Sequence, residues 1–179
     1  MTREQRVSAA ARGQHYTCSV LIGLISDTHG YVDPRLAAAF DGVAAIVHAG
    51  DVGGARVLDA LRGMAPLHAV YGNNDEKLGG LGLRLREDFD LGGARFHLVH
   101  QLPHARPEAG AQVVVYGHSH RALIERREGR LYVNPGAAGR VGFHRVLTVA
   151  LLTIDAGEID ARIVELGARE ARKAPPKRR

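Results

Sequence analysis

Short apolar runs, each ended by glycine, asparagine or aspartate, constrain the fold of this chain more than any other feature. In the first half, candidate strands at 18–26, 43–49 and 67–71 are separated by helical patterns at 33–40 and 54–63. Strands that are apolar almost throughout indicate a sheet buried on both faces, and helices between them indicate parallel crossovers. The first half therefore predicts a β-α-β-α-β unit and an α/β fold class.

The second half changes to strands that alternate between apolar and polar residues. Its candidate strands are 84–89, 94–100, 112–116, 121–127, 130–134, 146–154 and 158–165. The tight turns "LGGA", "REGR" and "DAGE" join pairs of these strands, which predicts antiparallel hairpins. Because no repeat or linker divides the chain, we expect one domain over residues 18–166, a flexible extension at 1–17 and a basic disordered tail at 167–179.

Composition narrows the functions that the chain can have. Hydrophobic residues make up 45% of the 179 residues, enough for a substantial core, yet no apolar run is long enough to cross a bilayer. We therefore expect a soluble, cytoplasmic protein with no membrane partner. The single cysteine, Cys18, excludes an internal disulfide and a multi-cysteine zinc site, so metal chemistry would have to use histidine, aspartate and asparagine.

The net charge of +5 lies entirely at the C-terminal end of the chain. Residues 169–179 carry six cations and one acid, whereas residues 1–168 balance at 18 of each sign. A short basic segment with two prolines is most simply a solvated, disordered end. Nucleic acid is therefore a candidate partner only through this tail, and the lack of an aromatic stacking motif argues against a nucleic-acid-binding domain.

Metal-binding side chains follow several of the predicted strands. They are Asp27 and His29 in "SDTHG", Asp51 in "HAGDVGG", Asn73, Asn74 and Asp75 in "YGNNDE", His100 in "RFHLVH", and His118 and His120 in "GHSH". Ligand sites in open α/β sheets lie beyond the carboxyl ends of the strands, so we expect these side chains at one edge. Residues two apart in an extended chain face the same side, which would bring His118 beside His120 and Asp27 beside His29.

Each of these motifs also has an ordinary structural interpretation. "DTHG", "GD" and "GNND" are good turn sequences, and a lone histidine at a strand end is usually solvated or bonded to backbone. The metal interpretation depends on all five motifs occurring at strand ends in one domain. Oxygen and imidazole ligands together suit manganese, iron, nickel or zinc. Seven ligands exceed the needs of one ion, which predicts a two-metal centre with a shared carboxylate.

The order of the motifs resembles that of the calcineurin-like metallophosphoesterases. "DTHG" (27–30), "GDVGG" (50–54), "GNND" (72–75), His100 and "GHSH" (117–120) are followed by "NPGAAGR" (134–140). The motif spacing and the small size of the chain resemble the YfcE-like phosphodiesterase branch in particular, over roughly residues 19–165. This resemblance implies a two-sheet β-sandwich flanked by helices in α/β/β/α layers, with a dinuclear metal centre at the strand ends.

The resemblance also implies which side chains bind the two divalent ions. One ion would be bound by Asp27, His29 and His120, and the other by Asn73, His100 and His118, with Asp51 as the bridge. Asp51, Asn73 and His100 would act most directly in catalysis. Manganese is the first candidate ion, with iron, nickel or zinc as alternatives. A hydroxide held between two cations is a nucleophile at neutral pH, so the implied reaction is in-line hydrolysis of a phosphoester.

Two residues depart from the pattern of the family. Many members have a histidine, which is thought to protonate the leaving group, at the position of Asn74. An amide is not a useful acid near pH 7, so Asn74 favours a phosphodiester, or another ester with a good leaving group, over an alkyl phosphomonoester. The small branch usually has glycine where this chain has Gln101, which affects the expected placement of His100.

Several further residues are candidates for supporting roles. His48 is expected either to orient Asp51 or to be a buried, hydrogen-bonded strand histidine. Asp75 would orient a neighbouring ligand or cap a turn. His97 is expected to be exposed or to lie on the other face of its sheet. His104, Arg140 and His144 are candidate substrate contacts.

The leading hypothesis is a dinuclear metal-dependent phosphodiesterase that acts on a small phosphodiester. The alternative is a non-catalytic metal-binding interaction module on the same fold, similar to the retromer subunit that resembles this family. Loss of metal ligands would indicate the alternative, and every ligand position is present in this chain. The sequence is also compatible with a homo-oligomer.

Overall fold

The computed structural model describes residues 19–169, which form two five-stranded sheets and two short α-helices. The strands are β1 (Val20–Ile25), β2 (Ala45–Ala49), β3 (Leu67–Val70), β4 (Arg86–Leu91), β5 (Ala94–Val99), β6 (Val113–Val115), β7 (Leu123–Arg127), β8 (Arg130–Asn134), β9 (Val146–Asp155) and β10 (Glu158–Ala168). The helices are α1 (Leu36–Ala39) and α2 (Ala55–Arg62), and 3₁₀ segments cover Glu76–Gly82 and Leu102–His104. The ten predicted strands and two predicted helices are therefore confirmed.

The first sheet has the strand order β10-β9-β1-β2-β3. Its strands β1, β2 and β3 are parallel, as the helices between them require. Strand β9 pairs antiparallel with the other side of β1, and β10 forms a hairpin with β9. The β-α-β-α-β unit predicted for the first half is thus confirmed, and the C-terminal hairpin extends its sheet.

The second sheet has the strand order β4-β5-β6-β8-β7 and mixes both kinds of pairing. The hairpins β4-β5 and β7-β8 are antiparallel, as their tight turns predict. Strand β6, however, pairs in parallel with both β5 and β8. The long segment 100–112 returns the chain to the start of the sheet before β6, and a connection of that length permits parallel pairing that a tight turn does not.

Two apolar clusters hold these layers together. Leu24 of β1 and Phe96 of β5 are fully buried in the cluster between the two sheets. On the opposite face of the first sheet, Leu36 of α1 and Leu61 of α2 pack in a second cluster with Ile46. The predicted sandwich of two sheets is therefore confirmed, and both α-helices cover the first sheet.

A loop covers the outer face of the second sheet. His97 on this face is fully buried, and its Nδ1 donates to Asp88 Oδ1 at 2.9 Å while its Nε2 accepts from the Arg106 backbone N–H at 3.1 Å. Of the two positions predicted for His97, the exposed one is wrong because the segment after β5 folds over it. Within residues 19–169, the helical layer beside this sheet is reduced to a loop with the 3₁₀ turn Leu102–His104.

Strand β10 continues to Ala168, which pairs with Val146, so the sheet extends two residues past the predicted domain end at 166. The predicted extension at 1–17 and residues 170–179 of the predicted tail lie outside the described residues, and these boundaries stay predictions. Within residues 19–169, no helix combines the length and apolar character needed to span a membrane.

Candidate metal centre

The loops that follow β1, β2, β5 and β6 meet at one edge of the sandwich. The Asp27 N–H donates to Gly50 O at 3.0 Å, and the His29 N–H donates to Asp51 O at 2.9 Å. The Gly117 N–H donates to His100 O at 3.0 Å, which joins the two loops of the second sheet. Backbone hydrogen bonds therefore bring the predicted motifs together at the carboxyl ends of these strands, as expected for an open α/β sheet.

Five predicted ligands have left-handed backbone conformations. The φ angles are 53° at Asp27, 47° at His29, 54° at Asp51, 70° at His118 and 56° at His120. The predicted extended backbone at the pairs Asp27–His29 and His118–His120 is therefore wrong. A non-glycine residue in this region costs about 1–3 kcal/mol, and such strain concentrates at functional sites.

One group of ligand atoms comes from the loops after β1 and β6. His120 Nε2 lies 3.1 Å from Asp27 Oδ1 and 3.3 Å from His29 Nε2, and His29 Nε2 lies 4.0 Å from Asp27 Oδ1. The three residues can each offer one atom within 4.8 Å of the others. This is the trio that the family resemblance assigns to one ion.

A second group of ligand atoms consists of Asp27, Asp51 and His100, all of them buried. Asp51 Oδ2 lies 3.4 Å from His100 Nε2 and 3.9 Å from His29 Nε2, so this oxygen lies between histidines assigned to different ions. Asp27 belongs to both groups. The two groups are therefore adjacent clusters of possible metal ligands, and the bridging role of Asp51 stays a prediction.

Two buried atoms in these groups have no hydrogen-bond partner within residues 19–169, namely Asp27 Oδ1 and His100 Nε2. Leaving such a group unsatisfied costs about 1–3 kcal/mol, and such groups are uncommon in native proteins. A divalent cation would satisfy both atoms, and carboxylate oxygen with imidazole nitrogen is a suitable donor set. The residues present therefore fit the metal ions that the motifs imply.

Burial and neighbouring charges shift the pKa values of Asp51, His29 and His100 in this cluster. Burial raises the pKa of Asp51, but the nearby His100 ring and two hydrogen bonds from Asn74 outweigh burial and hold the pKa below its usual value. Burial lowers the pKa of His29 despite the Asp51 and Asp27 carboxylates. For His100, burial also acts to lower the pKa, but Asp51 and Asp27 raise it above its usual value.

The match to known proteins agrees with this geometry. Residues 20–157 match the model of the calcineurin-like phosphoesterase superfamily domain. The chain belongs to the calcineurin-like phosphoesterase superfamily. A protein of Methanothermobacter thermautotrophicus named "Probable metallophosphoesterase" is 34% identical over 164 residues, which cover 83% of this chain and 94% of that protein.

Solved structures share the superfamily fold. A structure described as a novel archaeal phosphodiesterase aligns with a TM-score of 0.66 and 23% identity, covering 82% of this chain and 99% of that one. Vacuolar Protein Sorting 29 from Cryptosporidium parvum aligns with a TM-score of 0.64 and 17% identity, covering 83% and 98%. At these identities the similarity supports the two-sheet fold alone.

The asparagines of this superfamily member have contacts that the sequence did not predict. Asn74 donates twice to Asp51, from its backbone N to Oδ1 at 2.9 Å and from Nδ2 to Oδ2 at 2.5 Å. Asn73 is exposed, and its Oδ1 accepts from Gln101 Nε2 at 2.9 Å. The departure at Gln101 thus affects Asn73 directly, and the role of Asn73 as a metal ligand stays a prediction.

His118 and His100 lie next to each other, as their assignment to one ion requires. Their ring centroids are 5.3 Å apart in an edge-to-face arrangement, and His118 is exposed whereas His100 is buried. His100 Nδ1 donates to Ala49 O at 2.7 Å, which leaves Nε2 as the nitrogen with a free lone pair. The His118 backbone N–H donates to Asp27 Oδ2 at 3.0 Å.

Among the described residues, His48 hydrogen-bonds to Thr28 and Gly50 and not to the Asp51 side chain, so it does not orient that carboxylate through a hydrogen bond. Its Nδ1 accepts from the Gly50 N–H at 3.2 Å, so the proton is on Nε2, which donates to Thr28 Oγ1 at 2.9 Å. Complete burial lowers the pKa of His48 to about 4, which keeps the ring neutral. His48 is therefore a satisfied core histidine that connects the β1 and β2 loops.

Sequence reasoning missed other supporting side chains. Ser26 Oγ donates to Asp27 Oδ2 at 2.6 Å, and Asn134 Nδ2 donates to Gly117 O at 2.9 Å in the loop that carries His118. Both lie inside quoted motifs, "SDTHG" and "NPGAAGR", but no local pattern indicates their partners.

Arg140, predicted to touch substrate, lies 3.9 Å above the Tyr31 ring and donates to its hydroxyl at 2.7 Å.

Asp75 is buried and holds two loops together through backbone groups. Its Oδ2 accepts from the N–H groups of Val52 and Gly72, both at 2.9 Å, and its Oδ1 accepts from Gly53 N–H at 2.7 Å. These contacts fit both predicted roles, because Val52 and Gly53 directly follow Asp51 and the Gly72 N–H lies in the turn that contains Asp75.

Asp75→Asn is expected to lower the free energy of unfolding by about 2–4 kcal/mol, since one carboxylate oxygen becomes an NH₂ group that cannot accept from a buried N–H. Urea unfolding measures this loss. The matched control is Asp59→Asn at an exposed position of α2, where the ion pair with Arg62 is on the surface, and its effect should be within about 0.5 kcal/mol. Equal stability of the two variants would show that the Asp75 contacts contribute nothing.

Proposed function

We propose that this chain is a metal-dependent phosphodiesterase that uses two divalent ions. The observation that carries the proposal is the pair of ligand groups that share Asp27, with buried Asp27 Oδ1 and His100 Nε2 lacking partners within residues 19–169. Membership of the superfamily supports phosphoester chemistry. The chain also has the same fold as a structure described as an archaeal phosphodiesterase, which supports the choice of a phosphodiester as substrate.

The ligands assigned from the motifs would hold the two ions. Asp27, His29 and His120 would bind one, and Asn73, His100 and His118 the other, with Asp51 shared; manganese remains the first candidate, before iron, nickel and zinc. Bound divalent ions supply Lewis acidity and lower the pKa of bound water to about 7 in favourable cases. The same surroundings keep Asp51 ionised, because the His100 ring and the Asn74 amides stabilise its charged form.

Cavities beside the histidines offer room for a small substrate. One of about 500 Å³ is lined by His118, His120 and His144 together with the fully exposed Phe143, a volume typical of small-molecule sites. A second, of about 290 Å³, lies between His29 and Arg140. Arg140 would donate to a phosphoryl oxygen there, since a guanidinium binds phosphate geometry well.

The proposed leaving group is one that departs without a proton donor. Asn74 occupies the position where many members have histidine, and its amide is bonded to Asp51. An amide does not protonate a leaving oxygen near pH 7. A phosphodiester with a stable leaving group therefore fits this chain better than an alkyl phosphomonoester.

The test is hydrolysis by metal-stripped protein that is reconstituted with Mn²⁺, Fe²⁺, Ni²⁺ or Zn²⁺. We expect hydrolysis of aryl phosphodiesters in the presence of metal, little activity without it, and slow turnover of alkyl monoesters. Full metal loading with no hydrolysis of any ester in the panel would contradict the proposal.

Asn74→His is expected to flatten the dependence of rate on leaving-group pKa and to raise monoester turnover, since an imidazole at this position can donate a proton. Rates on a series of substituted phenyl phosphates and diesters measure the slope. Asn74→Ala is the control, because it removes the side-chain contact with Asp51 without adding an acid, and it should keep the steep slope. A wild-type enzyme that prefers alkyl monoesters would show that another group supplies the proton.

A non-catalytic interaction module is the second candidate function. The fold similarity to Vacuolar Protein Sorting 29 and the exposed side chains of Phe143 and Val141 favour it. Metal binding without hydrolysis would support this alternative. Nucleic-acid binding through the basic tail, self-association and a cytoplasmic location stay predictions, and salt-dependent DNA binding that is lost on removing residues 169–179 would test the first of them.

A further inference from the structure

His144 lies beside His120 but makes no predicted metal contact of its own. The ring centroids are 5.2 Å apart in an edge-to-face arrangement, and the two Nδ1 atoms are 3.3 Å apart. On its other side, His144 Nε2 lies 2.9 Å from the carbonyl oxygen of Gly139. His144 therefore spans the gap between a predicted ligand and the backbone of the loop after β8.

These two contacts determine where the protons are. A carbonyl only accepts, so His144 Nε2 must carry a proton and donate it to Gly139 O. In a neutral ring, His144 Nδ1 is then an acceptor, and the proton between the two rings belongs to His120 Nδ1. His120 Nε2 is consequently left unprotonated; it lies 3.1 Å from Asp27 Oδ1 and 3.3 Å from His29 Nε2, which can donate to it when no ion is bound.

We call the hydrogen-bonded path from His120 through His144 to Gly139 the relay. Its backbone end is bonded to the loop after β1, which carries Asp27. The Gly139 N–H donates to Asp27 O at 3.0 Å, and the Ala138 N–H donates to Ser26 O at 3.1 Å. The hydrogen-bonded path therefore runs from the Asp27 backbone through Gly139 and His144 to His120, and it ends with His120 Nε2 at 3.1 Å from the Asp27 side chain. This path holds His120 near Asp27 before any ion binds.

Gly142 leaves room for the contact between the two rings. Its φ of 121° is accessible mainly to glycine, and a Cβ at this position would overlap His120 Nδ1 and come within 3.1 Å of His144 Nδ1. Arg169 donates to the carbonyl oxygen of Gly142 and so ties this loop to the end of β10. The backbone thus packs directly against the hydrogen bond that the relay requires.

We infer that His144 is a positioning residue that holds His120 in the Nδ1-protonated tautomer, so that Nε2 is presented to a divalent cation. The inference rests on the proposed metal role of His120. It assigns His144 a function other than the substrate contact expected from sequence. Partners of this kind, hydrogen-bonded to the second nitrogen of a ligand histidine, typically change metal affinity about 10- to 100-fold when removed.

The direct test is the tautomer of His120 in the metal-free, full-length protein. Long-range ¹H–¹⁵N NMR at about pH 8 distinguishes protonated from unprotonated ring nitrogens, and His120→Ala identifies the His120 signals. We expect the proton on Nδ1 in wild type and in His144→Asn, whose amide oxygen can still accept. In His144→Phe the proton should no longer be confined to Nδ1. A wild-type His120 protonated on Nε2 overturns the inference, whichever variants fold.

Calorimetric titration with Mn²⁺ provides the second readout. Affinity should fall about 10- to 100-fold in His144→Phe and recover most of the loss in His144→Asn, with His68→Asn, outside the cluster, as the unchanged control. Unchanged affinity and tautomer in His144→Phe, with only KM altered, would assign His144 to substrate binding instead. Because neither readout uses turnover, a protein that binds metal through this relay but hydrolyses nothing would refute the proposed function and leave the inference standing.

Discussion

Asp51→Asn is expected to lower kcat/KM on an aryl phosphodiester by about 10³-fold, equivalent to about 4 kcal/mol of transition-state stabilisation. Asp51 Oδ2 lies 3.4 Å from His100 Nε2 and 3.9 Å from His29 Nε2, two histidines that the proposed function assigns to different ions. An amide keeps the shape of the carboxylate but removes the charge that two cations would share. Metal analysis should therefore show weaker occupancy of both sites rather than one.

The control for this prediction is Asp41→Asn, an exposed carboxylate outside the cluster, which should keep full metal content and activity. Circular dichroism checks that the Asp51→Asn fold is retained. The Asn74 backbone N–H can still donate to the new amide oxygen, as it does now to Asp51 Oδ1 at 2.9 Å. If the variant binds two ions as tightly as wild type, Asp51 is not the shared ligand.

His118→Ala and His120→Ala should each reduce turnover by two or more orders of magnitude, because a side chain that binds a metal directly also positions the ion on which hydrolysis depends. The two variants should lose different ions. His120 Nε2 adjoins Asp27 and His29, whereas the His118 ring adjoins His100. Both side chains lie at the protein edge rather than in the core, so stability should change little.

Metal stoichiometry and activity at saturating Mn²⁺ measure the difference between these variants. His68→Ala is a control for removing a histidine outside the cluster, where the ring stacks on Phe89 at 3.8 Å. Near-wild-type turnover in both His118→Ala and His120→Ala would remove the catalytic interpretation of "GHSH". Loss of the same ion in both would show that the two histidines share one site.

Local pattern was sufficient for the elements of this fold. The apolar runs and their turn residues located all ten strands and the two helices, since each depends on side-chain period and turn chemistry within a few residues. The same reasoning placed Asp27, Asp51 and His100 at one edge, because parallel strands bring their carboxyl ends together. Family resemblance then supplied the grouping of Asp27, His29 and His120, which the distances reproduce.

Local pattern was not sufficient for contacts between distant segments. The parallel insertion of β6 between β5 and β8 depends on the path of segment 100–112, whose sequence carries no pairing information of its own. The left-handed backbone at His29 and its neighbours accompanies loop-to-loop hydrogen bonds, and although aspartate and histidine adopt this conformation more often than most residues, their type alone does not specify it.

The orientation of side chains around the cluster was decided by tertiary packing alone. Asn73 and Asn74 are adjacent and chemically identical, yet one amide contacts Gln101 and the other Asp51 because different loops approach each of them. The placement of His144 against His120 likewise requires Gly139 to be pinned on the β1 loop. Residue type and position in a strand specify which groups reach the edge, but hydrogen bonds are short and directional, so only the folded arrangement selects their partners.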